Sequence, residues 1–179
     1  MKTRDITIVA VMAALLCVAG PLTVSVGPIP LSLATFVVYL AGAVLGAKRG
    51  TLAVAIYLLL GLVGLPVFSG FTGGFQKLIG VTGGYLVGYL PCALITGLAV
   101  RPDSPEVGPR WRLPAFMAMG TVVLYAIGTA WFMFQTKNSL AASLGMCVVP
   151  FLPGDAAKIV AATLIAKPVR RAAYIRVCF

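Results

Sequence analysis

No histidine occurs among the 179 residues, and only four acids stand against 14 Lys and Arg. Without histidine, a zinc site would need several of the distant cysteines Cys17, Cys92, Cys147 and Cys178 to converge. No CxxC pair is present, so they read as small apolar fillers and no metal site is expected. The chain lacks GxxxxGK[ST], and therefore does not bind ATP in the P-loop manner. HExxH, GxSxG and acidic clusters are missing too, so no catalytic residue is assigned. Charge itself is scarce: charged residues are 10% of the chain, hydrophobic residues 60%, and the mean hydropathy is +1.04. Soluble domains run at about 45–50% apolar and about 25% charged. These residues cannot clothe a water-facing surface. A soluble enzyme, a nucleic-acid binder and a disulfide-stapled secreted module are excluded, and the lipid bilayer becomes the expected partner.

Six apolar segments follow one another, at roughly 6–20, 31–47, 50–66, 83–100, 113–133 and 154–167. Lipid requires every backbone donor and acceptor to be satisfied inside a helix or a closed barrel. A barrel would need alternating strands of about ten residues, and these runs are continuously apolar. The expectation is an all-α membrane protein: a single transmembrane domain over 1–179 with six helices. Lys2 and Arg4 before the first run imitate a signal peptide, but Gly20-Pro21 disfavours cleavage, so the segment reads as a retained first helix.

The basic residues set the orientation. With the N-terminus inside, Lys2, Arg4, Lys48, Arg49, Arg101, Arg110, Arg112, Lys167, Arg170, Arg171 and Arg176 all fall inside, which is 11 of the 14. Lys77 and Lys137 fall outside, and Lys158 lies within a helix. That bias predicts both termini in the cytoplasm. On the inner side Lys48-Arg49-Gly50 reads as a tight turn and 101–112 as a polar loop. The outer links 21–30, 67–82 and 134–153 are longer and still rather apolar, as expected of loops that fold back over a cavity. Within them Thr72-Gly73-Gly74-Phe75 is echoed by Thr82-Gly83-Gly84-Tyr85. The echo is either two turns flanking a short segment or a glycine-lined lid whose bare amides meet a ligand.

Among the acids, Asp5, Asp103 and Glu106 lie with basic residues near the inner surface and read as solvated charges. Asp155 follows Phe151-Leu152-Pro153-Gly154 and opens an apolar helix that contains Lys158. One reading is an N-cap with a snorkelling lysine. The other is a binding site, because i and i+3 share a helix face and a charge near mid-membrane costs about 2.5–3.5 kcal/mol. A carboxylate accepts from N–H groups while an ammonium donates to a carbonyl or carboxylate. Phe36, Tyr39, Phe71, Phe75, Tyr85, Tyr125 and Trp131 are the aromatics that could line such a pocket, each equally suited to packing. Ala10-x-x-x-Ala14, Gly42-x-x-x-Gly46 and Gly84-x-x-x-Gly88 are small-residue spacings that let helices approach closely, by default within the chain.

Gly64-Leu65-Pro66-Val67-Phe68, the stretch Thr82-Gly83-Gly84-Tyr85-Leu86-Val87-Gly88-Tyr89, and Pro150-Phe151-Leu152-Pro153-Gly154-Asp155-x-x-Lys158 together resemble the BioY family, the biotin-binding S components of energy-coupling factor transporters. The resemblance implies a six-helix subunit in a bacterial plasma membrane that captures biotin at its outer face. It also implies partners: a transmembrane coupling subunit and two cytoplasmic ATPase subunits, ATP being bound there and no cofactor on this chain. Carried over by position, Asp155 and Lys158 anchor the ureido ring. The segment 73–84, with Gly73, Gly74, Phe75, Gly83 and Gly84, closes over the ligand above Tyr85. Thr35, Phe36 and Trp131 complete the substrate contacts, and Ala10 and Ala14 face the coupling subunit. The sequence departs from the pattern at Val81, where proline is expected, and at Gln76 and Lys77 within the lid. Alternatives in other classes are an S component for a different small vitamin, an intramembrane enzyme, and a purely structural subunit.

Overall fold

Glycine and proline decide where the apolar runs break into helices. The computed structural model describes residues 3–25, 30–101 and 108–175; Lys2, Asp103, Glu106, Arg176 and Cys178, named above, lie outside them. Among the described residues there are eight helices and one two-stranded hairpin. The order is α1 (Thr3–Ala19), β1 (Thr23–Ser25), β2 (Pro30–Ser32), α2 (Ala34–Leu45), α3 (Ala47–Leu62), α4 (Phe75–Ile79), α5 (Gly83–Leu98), α6 (Arg112–Thr136), α7 (Leu140–Cys147) and α8 (Leu152–Ile175). Each of the six apolar segments yields one long helix. The connections hold what sequence reasoning left unstructured: the antiparallel pairing Thr23 to Ser32 in the link 21–30, α4 in 67–82 and α7 in 134–153.

Two boundaries differ for local reasons. The expected 31–47 helix loses its start to β2 and is only 12 residues long, about 18 Å at 1.5 Å per residue. The turn expected on the inner side is a single residue, Gly46 at φ 79°, a conformation that penalises any side chain; Lys48, Arg49 and Gly50 already belong to α3. Asp5 is not merely solvated, because its carboxylate meets Arg49 at 2.9 Å and ties α1 to α3. By length and composition, Arg112–Thr136 can cross a bilayer alone, and Leu140–Cys147 with Leu152–Ala172 forms a broken candidate bent by 49°. The surface points the same way. Val18, Leu59, Val122, Phe134, Val160 and Leu164, spread over four helices, are all well exposed, as they would be against lipid rather than water.

The long helices alternate in direction. One end of the bundle gathers the hairpin, α4 and α7: Gly70 N donates to Pro21 O at 3.3 Å, and Trp131 Nε1 donates to Gly80 O at 3.0 Å. The opposite end holds the Asp5–Arg49 pair and Arg170 of α8, which donates to Val44 O at 2.7 Å. The most extensive interface is α5 on α6. There a Cβ on Gly84 would lie 2.3 Å from Trp131 Cβ. The spacing Gly84-x-x-x-Gly88 is therefore used for packing inside the chain. Gly84→Ala should lower stability by about 1–3 kcal/mol through overpacking. Thermal unfolding of the purified protein in detergent checks this, and an unchanged midpoint would refute it.

Candidate functional site

At the end of the bundle that carries the hairpin, polar side chains point inward from α2, α6 and α8. In the first turn of α8, Asp155 N donates to Phe151 O at 2.8 Å. Asp155 is thus the fourth residue of its helix, not the N-cap, and its carboxylate is turned into the protein. Lys158 lies one turn on, with Nζ 2.9 Å from Asp155 Oδ1 and the two side chains 11% and 5% exposed. Such a pair withstands burial only when its remaining donors and acceptors are satisfied. Here they are. Lys158 Nζ also donates to Ser32 O and to Thr35 Oγ1, both at 2.8 Å, which uses all three of its N–H groups. Tyr125 of α6 donates to Asp155 Oδ2 at 2.6 Å.

The sequence of the hairpin places these acceptors. Ser32 ends β2, its hydroxyl donating to Gly20 O at 3.1 Å and accepting from Ala34 N at 3.0 Å, so it fastens α1 to the start of α2. Thr35 then faces inward in the first turn of α2, where its hydroxyl also reaches Ser32 O at 3.2 Å. Against this cluster lies a cavity of about 340 Å³, walled by Leu22, Thr23, Val24, Ser32 and Leu33 and touched by Lys158. Ligand pockets commonly measure about 300–1,000 Å³ and are mostly apolar with a few fixed polar groups. An apolar chamber with one ammonium at its edge suits a small amphipathic molecule.

The other residues singled out from the sequence fall in three places. Thr35 belongs to the cluster, and Phe36 packs partly buried against the core beside it. Tyr85 is buried deeper between α5 and α6, its hydroxyl 3.3 Å from Thr129 Oγ1 and its ring against Gly128. Gly73, Gly74, Phe75, Gly83 and Gly84 lie around α4 and do not line the cavity. Their amides and Cα positions serve packing: Gly74 N donates to Gly61 O at 2.7 Å, and a Cβ on Gly83 would fall 1.7 Å from Leu78 O. The two TGG copies are therefore turns before α4 and α5, with Gly74 at φ 92°. Trp131 and Gln135 of α6 hold this segment down by donating to Gly80 O and Ile79 O. Ala10 and Ala14 are exposed on α1 among Ile6, Val11, Leu15 and Val18.

Sequence reasoning missed the hairpin wall and Ser32 altogether. No local signal marks a serine carbonyl as the partner of a lysine 126 positions away.

The chain matches the BioY family model over residues 1–174. It is 38% identical over 168 residues to a probable biotin transporter BioY of Pyrococcus horikoshii, covering 93% of this chain and 96% of that one. With a biotin transporter BioY of Thermotoga maritima it shares 39% identity over 163 residues, 91% and 94% of the two chains. Its fold superposes with a TM-score of 0.85 on a crystal structure, at 2.1 Å, of the S-component for biotin from an ECF-type ABC transporter. That likeness carries 27% identity and covers 95% of this chain and 92% of the other.

Proposed function

The chain belongs to the BioY family, and from that premise we infer that it is the biotin-binding membrane subunit of an energy-coupling factor transporter. The observation that carries the assignment to a site is the buried Asp155–Lys158 pair beside the hairpin cavity. In a cyclic urea, each ring edge presents an N–H donor next to the shared carbonyl acceptor. A carboxylate oxygen next to an ammonium is the complement of that edge. Asp155 accepts the ureido N–H and Lys158 donates to the carbonyl. Because all three Lys158 N–H groups already have acceptors, the ligand carbonyl enters by displacing one. The neutral contacts to Ser32 O and Thr35 Oγ1 are weaker than the charge-assisted pair and yield first. The apolar walls Leu22, Val24 and Leu33 then receive the hydrocarbon part of biotin.

Asymmetric placement of charge supports the orientation. The end opposite the site carries Lys48, Arg49, Arg101, Lys167, Arg170 and Arg171, a bias that supports a cytoplasmic location for that end and an outer-face location for the site in a six-crossing bundle. Ala10 and Ala14, small and exposed on α1, would let a transmembrane coupling subunit approach closely. ATP would be hydrolysed by two cytoplasmic ATPase partners, with no cofactor on this chain. Small-molecule mass spectrometry of the purified protein should find biotin retained, and added labelled biotin should stay bound through gel filtration. A different vitamin in the preparation, or no retention of label, would overturn the assignment.

A further inference from the structure

We propose that Tyr125 is a positioning residue for ligand recognition, its phenol hydroxyl locking the plane of the Asp155 carboxylate so that free acceptor directions face the ligand. This rests on the reading of Asp155 and Lys158 as the ligand's anchors. The ion pair alone cannot supply that order. Lys158 engages only Oδ1, and it lies on the same helix, three residues away. An aspartate's terminal torsion is broad, so a carboxylate tethered at one oxygen swings about its Cβ–Cγ bond. Thr35 adds little, since its hydroxyl has one proton to give and its Oγ1 lies 3.2 Å from Ser32 O but 3.5 Å from Asp155 Oδ1. The second fixed point is Tyr125, which reaches Oδ2 from another helix at 2.6 Å.

The direction of that bond follows from the neighbouring charge. Paired with an ammonium at 2.9 Å, the carboxylate accepts and the phenol donates. Its length is that of a charge-assisted O–H···O⁻ contact. With one firm donor on each oxygen, each keeps an unused lone-pair direction, in a plane now set by the protein before any ligand arrives. Tyr125 is itself held firmly. It is buried, and one turn earlier on α6 Thr121 is pinned to α2 by Tyr39 at 2.6 Å. The Thr121 proton is committed to Met117 O at 2.8 Å, so Tyr39 is the donor there. Holding the acceptor in place lowers the ordering cost of binding, and that saving is specific to ligands that use it.

The test is a cycle between protein and ligand on the full-length protein in detergent. Affinities are measured for biotin and for biotin methylated at either ureido nitrogen, with parent and Tyr125→Phe. Loss of a hydrogen bond to a charged group should weaken biotin binding by about 10- to 100-fold. The decisive readout is the ratio of affinities, biotin over the N-methyl analogue that blocks the Asp155 contact. It should be large for the parent and shrink several-fold in Tyr125→Phe, because both changes strike one contact and are non-additive. An unchanged ratio, with both ligands weakened alike, would mean Tyr125 acts only through general packing, and the proposal fails. If Tyr125→Phe does not fold, 3-fluorotyrosine at 125 keeps the ring and alters the acidity of the hydroxyl. The ratio must then shift, and a constant ratio again overturns the proposal. A parent that binds no biotin defeats the underlying functional reading as well, an outcome the variant data cannot mimic.

Discussion

Asp155→Ala should lose biotin binding by about two to three orders of magnitude and lower the unfolding midpoint as well. Both effects have one cause. The substitution leaves the Lys158 ammonium, 11% exposed, with only neutral acceptors, and removing one partner of a buried pair costs about 3–5 kcal/mol. It also orphans the Tyr125 hydroxyl. Stability loss alone would lower apparent binding, so a second variant separates the two. In Asp155→Asn/Lys158→Met no charge remains to be buried, and replacement of a buried pair by neutral groups of similar size is often harmless to stability. The double variant should therefore melt close to the parent yet still fail to retain biotin, because the acceptor–donor edge is gone. Isothermal titration for binding and thermal unfolding in detergent for stability give the two numbers. Parent-like binding in the double variant would place the ligand elsewhere in the fold.

How far such residues can be found by reading the chain depends on whether their partners are local. Asp155 and Lys158 stand three apart on one helix, and both are conspicuous in an apolar run, so the pair was visible without coordinates. Membrane character was equally visible, being a property of composition. Tyr125 was visible only as one aromatic among seven, because what distinguishes it is a carboxylate 30 residues away. Ser32 and Thr35 join the cluster across more than 120 residues, and their positions depend on a hairpin of two three-residue strands too short to announce itself. The glycines are ambiguous in a different way. A glycine admits both a bare amide for a ligand and a close approach of two backbones, and sequence does not distinguish these. At Gly83 and Gly84 the adjacent Leu78 carbonyl and Trp131 side chain show the second use.

Arg170 illustrates the same limit with the larger consequence for folding. Beside Arg171 at the end of an apolar run, it reads as one more basic residue at the inner surface. Instead it is 1% exposed, while Arg171 is exposed. Its guanidinium donates through Nη1 to Ala43 O at 3.2 Å and Val44 O at 2.7 Å, and through Nη2 to Arg101 O. The first two are terminal carbonyls of α2, which a helix end leaves without backbone partners and which favour a cation. Arg101 follows α5, so one planar fork ties the ends of α2 and α5 to α8, a geometry that a lysine ammonium cannot reproduce. Arg170→Met should destabilise the protein by about 3 kcal/mol or more, from lost hydrogen bonds to a charged group and orphaned carbonyls. Arg170→Lys should recover less than half of that, and Arg171→Ala should stay within about 0.5 kcal/mol of the parent. Fifteen residues separate Arg170 from Asp155, about 22 Å along α8, so biotin affinity of the folded fraction should hardly change. Unfolding midpoints measured beside titrations on the same samples decide the matter: if Arg170→Met melts with the parent, the guanidinium is not what fastens that end of the bundle.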